Sequence, residues 1–481
     1  MPNATPPGRL QRWLAQRALY RGLLLLNLLA ALAVAAATFH TVSGDHHTYL
    51  GYADGLLHGR YSYWYFFPDY IPDTFRNPGY PVFLFLLKGV GLPEGGIRLI
   101  QVGLYLATIV VLLRLLARYE ASSSWTLRNL FLLLLLPNVQ LAYFAAVIFP
   151  EVLVAFLLAL YGWVAIAWPA NTWRRTIALG LLAGAVFQAR PIFLLFPGLQ
   201  LLLDFWQTRP KAAFAWGQAV ALLGLFGLTM LPYAYWNYRH HGVLKPTSLE
   251  GGAGVMQIGF WALRMPGYHE TRYWGNLMGD EIVPFADSAA VPGYIAAFNR
   301  EWDDIEAACR PLLTPRDAHY LPLMRRDHPD LFPTYTSAYT QQREKLLTQA
   351  TLVNIRREPG YYLKTRLYTL VRLWVTGIQK PAWRTATSPR AKITVLYPML
   401  VSGFTFLLAL VSIGWVLLKR RAVTSAVGWR FALALVVYFG LIHLPFAIQA
   451  RYTVPVRPWL LFAIALALGA WLSRRSAAAT A

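Results

Sequence analysis

The sequence predicts an all-α polytopic membrane protein with about ten transmembrane helices, and three observations predict it. Of 481 residues, 57% are apolar and only 14% charged, a composition suited to a bilayer. Apolar runs of roughly 20 residues, the length that crosses about 30 Å of hydrocarbon as a helix, recur along the chain. The charges behind the formal net +22 flank those runs and form no patch, which argues for a membrane partner and against nucleic acid. The lone Cys309 excludes an internal disulfide and a four-cysteine zinc site. Arginine makes up 36 of the 44 basic residues, a bias of GC-rich genomes that points to a bacterium.

Five runs are long enough to span on their own, at 22–40, 97–117, 148–168, 214–235 and 393–418. Shorter runs at 127–143, 176–189, 191–206, 429–446 and 456–472, each bounded by Arg, Pro or aromatic residues, bring the total to ten. Arg9, Arg12, Arg17 and Arg21 precede the first run and no convincing cleavage site follows it, so it reads as a retained helix. With that basic start in the cytoplasm, alternation gathers seventeen basic residues on the same side against two acids, Glu120 and Asp204. Both termini are then cytoplasmic, in a bacterial inner membrane. The pair at 176–206 fits that sidedness either as two full spans or as a re-entrant hairpin.

This pattern divides the chain into an N-terminal transmembrane module, 1–235, with a first outer loop at 41–96, a large extracytoplasmic region, 236–390, and C-terminal transmembrane helices, 391–481. The two outer segments hold 19 of the 22 acids. A transporter needs ionisable groups at mid-membrane depth, so this distribution favours chemistry on the outer face. In the large region, Pro and Gly predict breaks at 245–254, 266–293 and 311–333, with helices at 294–310 and 335–357. Residues 361–375 read as an amphipathic helix lying in the interface plane.

The first outer loop carries the most chemistry. Asp45 follows the first span by five residues and opens a segment in which Tyr49, Tyr52, Ala53, Leu56 and Leu57 share a helical face, a short surface helix. Asp45 is therefore either a reactive carboxylate at the membrane surface or a helix cap. Asp54, nine residues on, is expected near the same face and is its strongest rival, ahead of Asp69 and Asp73. PGYP at 78–81 starts a second apolar helix. YSYWYFFPDY at 61–70 has seven aromatics in ten residues, a lining for a lipid chain or an interfacial belt. His46, His47 and His58 leave a divalent cation open, although adjacent histidines on a helix point apart and match no standard ligand spacing.

These features together resemble polytopic GT-C glycosyltransferases, in particular the protein O-mannosyltransferase and aminoarabinose or galacturonic acid transferase group. The resemblance rests on the acid after helix one, the surface helix ending LLHGRY, and RNPGYPVFL. It extends to FQARPIFLLFPG, REPGYYLKTRLYTLVRLW and QARYTVPVRPWL, and so runs along nearly the whole chain in short, degenerate motifs. It implies inverting sugar transfer from a polyprenyl-phosphate donor to an acceptor hydroxyl on a glycan, lipid or protein, with Asp45 as base. A sugar phosphodiester has a stable leaving group, so the second carboxylate needed in glycoside hydrolysis can be absent. Arginines suit the departing phosphate because their planar fork binds it in bidentate fashion.

The candidates for that task are Arg190, Arg451 and Arg76, with Arg239 and Lys392 behind them. Arg190 and Arg451 stand at outer helix ends, where snorkelling to headgroups is the alternative explanation. Glu151, after Pro150, is a secondary acid, an acceptor contact, or a helix N-terminal charge favoured by the dipole. KPTSLEGGAGVM at 245–256 is assigned to sugar or acceptor contact. The alternatives to a glycosyltransferase of this type are an O-antigen polymerase or ligase and a transporter or flippase of lipid-linked sugars.

Overall fold

A computed structural model describes residues 9–42, 44–73, 75–120, 124–208, 215–265, 287, 289–327, 333–376, 385–419 and 426–478. Among them every regular element is a helix. A short α1 (Arg9–Leu14) leads into α2 (Arg17–Thr38), α3 (Gly44–Leu57), α4 (Gly79–Gly89) and α5 (Glu94–Ala117). There follow α6 (Thr126–Leu135), α7 (Gln140–Ala146), α8 (Glu151–Ala167), α9 (Trp173–Ala189), α10 (Phe196–Gln207) and α11 (Trp216–His241). The 236–390 region supplies α12 (Gly252–Trp261), α13 (Val291–Cys309), α14 (Pro315–Asp327), α15 (Ser337–Arg357) and α16 (Pro359–Trp374). The chain closes with α17 (Pro389–Lys419), α18 (Val427–Ile442) and α19 (Arg457–Ala478).

All ten predicted spans fall on helices, but among the described residues four are long and apolar enough to cross a membrane alone: α2, α5, α11 and α17. The others are shorter because the sequence interrupts them. The run at 127–143 breaks between α6 and α7, where Pro137 cannot continue the ladder and Asn138 Nδ2 takes over the carbonyl of Leu134 at 2.7 Å. Helix α9 stops at Arg190, whose extended backbone leads into Pro191. Near the far ends of α9 and α10, Arg175 holds Asp204 through two hydrogen bonds of 2.8 and 3.0 Å. The segment 173–207 is thus an antiparallel hairpin with Arg190 at its turn. Helix α9 packs against α8 and α11, and Gly184 permits the α11 contact, because a Cβ there would lie 2.1 Å from Thr229 Oγ1.

The 236–390 helices form a second apolar core. Helices α12 and α13 pack on α15, and Glu344 of α15 accepts from the Gly251 and Ala253 amides at 3.3 and 3.0 Å, satisfying the start of α12. The break expected over 311–333 contains α14: Pro315 opens it at the position where a missing N–H costs nothing, and Asp317 Oδ2 accepts from the Thr314 amide at 2.9 Å. Most of the break expected at 266–293 lies outside the described residues. Helix α16 buries Thr365, Arg366 and Thr369 while Leu363, Leu367 and Val371 stay exposed along one stripe, so it is amphipathic as the sequence predicts.

The aromatic run at 61–70 belongs chiefly to this second core. Tyr61, Tyr63, Trp64 and Phe67 are buried, Trp64 Nε1 donates to Thr334 Oγ1 at 2.8 Å, and Tyr320 donates to Asp69 at 2.6 Å. The run therefore docks the first loop onto the large region. Only Phe66 of these rings is exposed.

Candidate active site

Five separate segments deliver charged side chains to one end of the helix bundle. Asp45 stands in the first turn of α3, Arg76 in the turn before α4, Glu151 at the first position of α8, Arg190 at the end of α9, and Arg451 in the 3-10 turn 450–453. Asp45 Oδ1 accepts from Arg76 at 2.5 Å, and its Oδ2 pairs with Arg451 at 2.6 Å. Glu151 pairs with Arg190 and lies 3.9 Å from Arg451 Nε. The result is a continuous row, Arg76, Asp45, Arg451, Glu151, Arg190, with one positive charge in excess.

Burial differs along the row. Glu151 is fully buried, whereas Asp45 keeps 26% and Arg451 21% of its side-chain exposure. The row is therefore open at Asp45 and closed behind Glu151. Aromatic rings support the guanidiniums: Arg76 lies 4.8 Å from the Tyr49 centroid, Arg451 4.6 Å from Phe149 and Arg190 5.3 Å from Tyr452. Nε of Arg76, Nε of Arg451 and Oε2 of Glu151 are buried without a hydrogen-bond partner. Two unused guanidinium donors mark a place where an anion can add hydrogen bonds.

Burial acts to raise the Asp45 pKa, but the Arg76 and Arg451 guanidiniums outweigh it and hold the carboxyl well below the usual carboxylate range. Asp45 is thus ionised in the resting site. Both its oxygens serve guanidiniums, so its role is in the ion row and the cap reading is set aside.

Backbone contacts explain why Arg76 stands where it does. The Tyr61 and Tyr233 hydroxyls each donate to its carbonyl at 2.9 Å, and Asn77 Oδ1 accepts from the Ser248 amide at 2.9 Å. Asn237 of α11 donates to the carbonyls of Lys245 and Thr247 at 2.6 and 3.0 Å. Part of the 245–256 segment, expected to touch sugar or acceptor, thereby braces the Arg76 turn. Asp73, whose pKa is raised by burial, caps Phe75 in the same turn at 3.0 Å. Gly79 lets α4 start against the end of α9, since a Cβ would lie 2.4 Å from the Gln188 carbonyl carbon. On the other side, Arg366 donates to backbone carbonyls of Gly259, Leu444 and Phe446, and Arg457 donates to Trp374 O at 3.0 Å, bracing the turn that carries Arg451.

The remaining sequence candidates lie elsewhere. Asp54 pairs with Lys88 on the face of α3 opposite Asp45. Nine residues at about 100° each amount to two and a half turns, so the expected shared face was an error of half a turn. Arg239 is exposed in the last turn of α11 and is no member of the ion row, and Lys392 is exposed in α17. The histidines separate: His46 is buried 3.4 Å from Glu94, His47 is exposed, and His58 stacks on Tyr65 at 4.8 Å. Among the described residues no three His, Cys, Asp or Glu side chains converge, so the three histidines do not form a shared ligand set. What the sequence did not reveal is the link between Glu151 and both Arg190 and Arg451, nor the Tyr61 and Tyr233 braces; contacts 15 to 300 positions apart leave no local signal.

No family model and no curated protein matches the sequence. Among solved structures, the chain is similar to the crystal structure of ArnT from Cupriavidus metallidurans bound to undecaprenyl phosphate. The two share 13% identity with a TM-score of 0.34, over 93% of this chain and 78% of that one.

Proposed function

We propose that the protein is a GT-C-type inverting glycosyltransferase that moves a sugar from a polyprenyl-phosphate donor to an acceptor hydroxyl at the outer face of a bacterial inner membrane. The observation that carries the reading is the ion row: one accessible carboxylate, Asp45, flanked by guanidiniums that retain unused donors.

In the transfer, the acceptor oxygen forms a bond to the anomeric carbon from the face opposite the phosphate. The bond from that carbon to the phosphate oxygen breaks, and its electron pair leaves with polyprenyl phosphate. Asp45 accepts the acceptor's proton. The phosphate goes from one negative charge to two, and Arg76, Arg451 and Arg190 are placed to stabilise the charge that develops. Arg76 and Arg451 cannot bind phosphate fully while both clamp Asp45. A seated phosphodiester draws the guanidiniums toward itself, and the carboxylate regains the basicity that they suppress in the resting site. Glu151 holds Arg190 and faces Arg451 from the buried side, a positioning role.

A groove of about 550 Å³ between α10, α17 and α18, lined by Leu195, Leu199, Leu433, Val437 and Leu441 among others, supports a prenyl chain as occupant. One end of it, at Leu195, lies five residues from Arg190, and Tyr438 in its wall donates to Ile192 O at 2.6 Å.

The test is mass spectrometry of lipids from cells lacking the gene, followed by transfer assays in proteoliposomes with the lipid that accumulates. Release of polyprenyl phosphate by the wild type and its loss in Asp45→Asn support the reading. Release of a polyprenyl diphosphate would indicate a polymerase or ligase, and movement of intact lipid across the bilayer a flippase; either result overturns it.

A further inference from the structure

Helix α3 has a second face that the ion row does not use. Asp45, Tyr49 and Tyr52 point to the ion row and the cores, while His47, Leu50, Gly51 and Asp54, at spacings of three, four and seven, floor an open groove of about 520 Å³. Its other wall is Tyr63, Tyr65 and Phe66. The wall is preformed. Gly51 lets the Tyr63 ring lie on the helix, since a Cβ there would be 2.2 Å from the ring, and Arg60 fixes the loop by donating to the carbonyls of Tyr65 and Phe67 at 3.1 and 2.8 Å. Phe66 remains 47% exposed at the rim, although its neighbours Trp64 and Phe67 are buried. Lys88 of α4 holds the Asp54 carboxylate from beside the groove.

We propose that this groove is a saccharide subsite for the distal units of an extended acceptor glycan. The inference rests on the glycosyltransferase reading and assigns it an acceptor class. A sugar ring has hydroxyls around its edge and C–H groups on its faces. The groove offers the matching surfaces, a carboxylate and an imidazole along the floor and aromatic faces along the wall. An acyl chain does not suit a charged floor, and a free phosphate would meet the Asp54 carboxylate. From His47 to Asp54 the helix rises roughly 10 Å, room for more than one sugar unit. The His47 end lies in the N-terminal turn of α3 that also carries Asp45, about 200° round the helix from it, so a glycan along the groove reaches the base by passing over the start of α3. The groove adds affinity for chain length and leaves donor chemistry to the ion row.

The test uses the full-length protein in nanodiscs and saturation-transfer NMR with maltotriose, chitotriose, mannotriose and arabinotriose as probes, each against its monosaccharide. Wild type should bind at least one trisaccharide better than its monosaccharide. Phe66→Ala and the milder Tyr65→Phe should weaken that binding, the first roughly fivefold or more, with unchanged thermal unfolding. Asp45→Asn should bind the trisaccharide as wild type does. Release of polyprenyl phosphate to water, measured on the same preparations, should be unaltered in Phe66→Ala. Absence of binding by every trisaccharide in the wild type, or equal binding in Phe66→Ala, overturns the subsite. Sugar binding without any release of polyprenyl phosphate, either to water or in the transfer assay with the lipid that accumulates, leaves the groove standing and removes the glycosyltransferase reading, which separates the two failures.

Discussion

Asp45→Asn tests the mechanism most directly, because base and structural roles predict opposite changes in two measurable quantities. The substitution keeps the side chain's size and removes its charge from between Arg76 and Arg451, which approach it at 2.5 and 2.6 Å. Asparagine cannot take the acceptor's proton, and general-base catalysis is worth about a hundredfold to ten-thousandfold, so turnover should fall by at least that lower figure. Donor affinity should move the other way. With the carboxylate gone, the phosphate no longer competes for the two guanidiniums, and each charge-assisted hydrogen bond is worth about 1.5 to 3 kcal/mol. Binding should tighten by up to roughly tenfold, a fraction of one such bond, since the resting clamp is only partly given up. The assay is transfer in proteoliposomes at matched protein levels, with donor binding measured separately by equilibrium binding of labelled polyprenyl-phosphate sugar. Asp54→Asn is the comparison: it sits on the opposite face of α3 with Lys88, so at saturating acceptor it should leave proton transfer intact, any loss lying in acceptor affinity. Normal turnover in Asp45→Asn, or reduced turnover together with weakened donor binding, would refute the reasoning.

Arg190→Ala and Arg451→Ala should each lower donor use by about tenfold to a hundredfold, with Lys recovering part because a planar fork becomes a point charge; full activity in both would return these residues to headgroup snorkelling. In the wild type the depressed Asp45 pKa keeps the base ionised down to low pH. Arg451→Ala removes one of the charges that hold it down, so the acidic limb of kcat/KM should move to higher pH in profiles from about pH 4 to pH 8, and an unmoved limb would show that Asp45 does not set it. Combined Tyr61→Phe and Tyr233→Phe should cost roughly 1 kcal/mol per lost hydrogen bond and lower kcat, because the Arg76 carbonyl loses both braces; unaltered kcat would make them structural only. On a Cys309→Ala background, which should fold because that thiol is unpaired, cysteines placed near 190 and 300 should label from outside and those near 118 and 172 from inside; an inside label at 300 would overturn the sidedness.

The helices were legible because apolar length and punctuation are local: all ten predicted runs fall on helices, and Arg190–Pro191 marks the turn of the hairpin it was expected to bound. Asp45, Arg76, Arg190 and Arg451 were legible as charged residues at apolar-run ends, where burial needs a partner or a ligand. Their convergence was not, because it depends on how five segments pack. The errors were local in origin. The prolines of 311–333 read as breakers although Pro315 starts a helix and Pro322 lies within it, and seven aromatics read as a lipid surface although most are core. Asp54 was misplaced by counting nine residues without converting them to an angle.

The clamp on Asp45 also explains how three arginines can share a partly buried site. Three guanidiniums without counter-charge would repel one another and bear an unrelieved desolvation cost. Asp45 and Glu151 relieve both, leaving an excess of one positive charge that matches the single negative charge of a phosphodiester. On the proposed reading, the donor then completes neutrality in the site and releases the base in the same event. Water at the membrane surface meets an Asp45 whose lone pairs are engaged until the phosphate is seated, and only then can a hydroxyl held beside it lose its proton. Such ordering confines activation of the base to the donor-bound state, and a carboxylate left free beside a separate arginine pocket would have no comparable control.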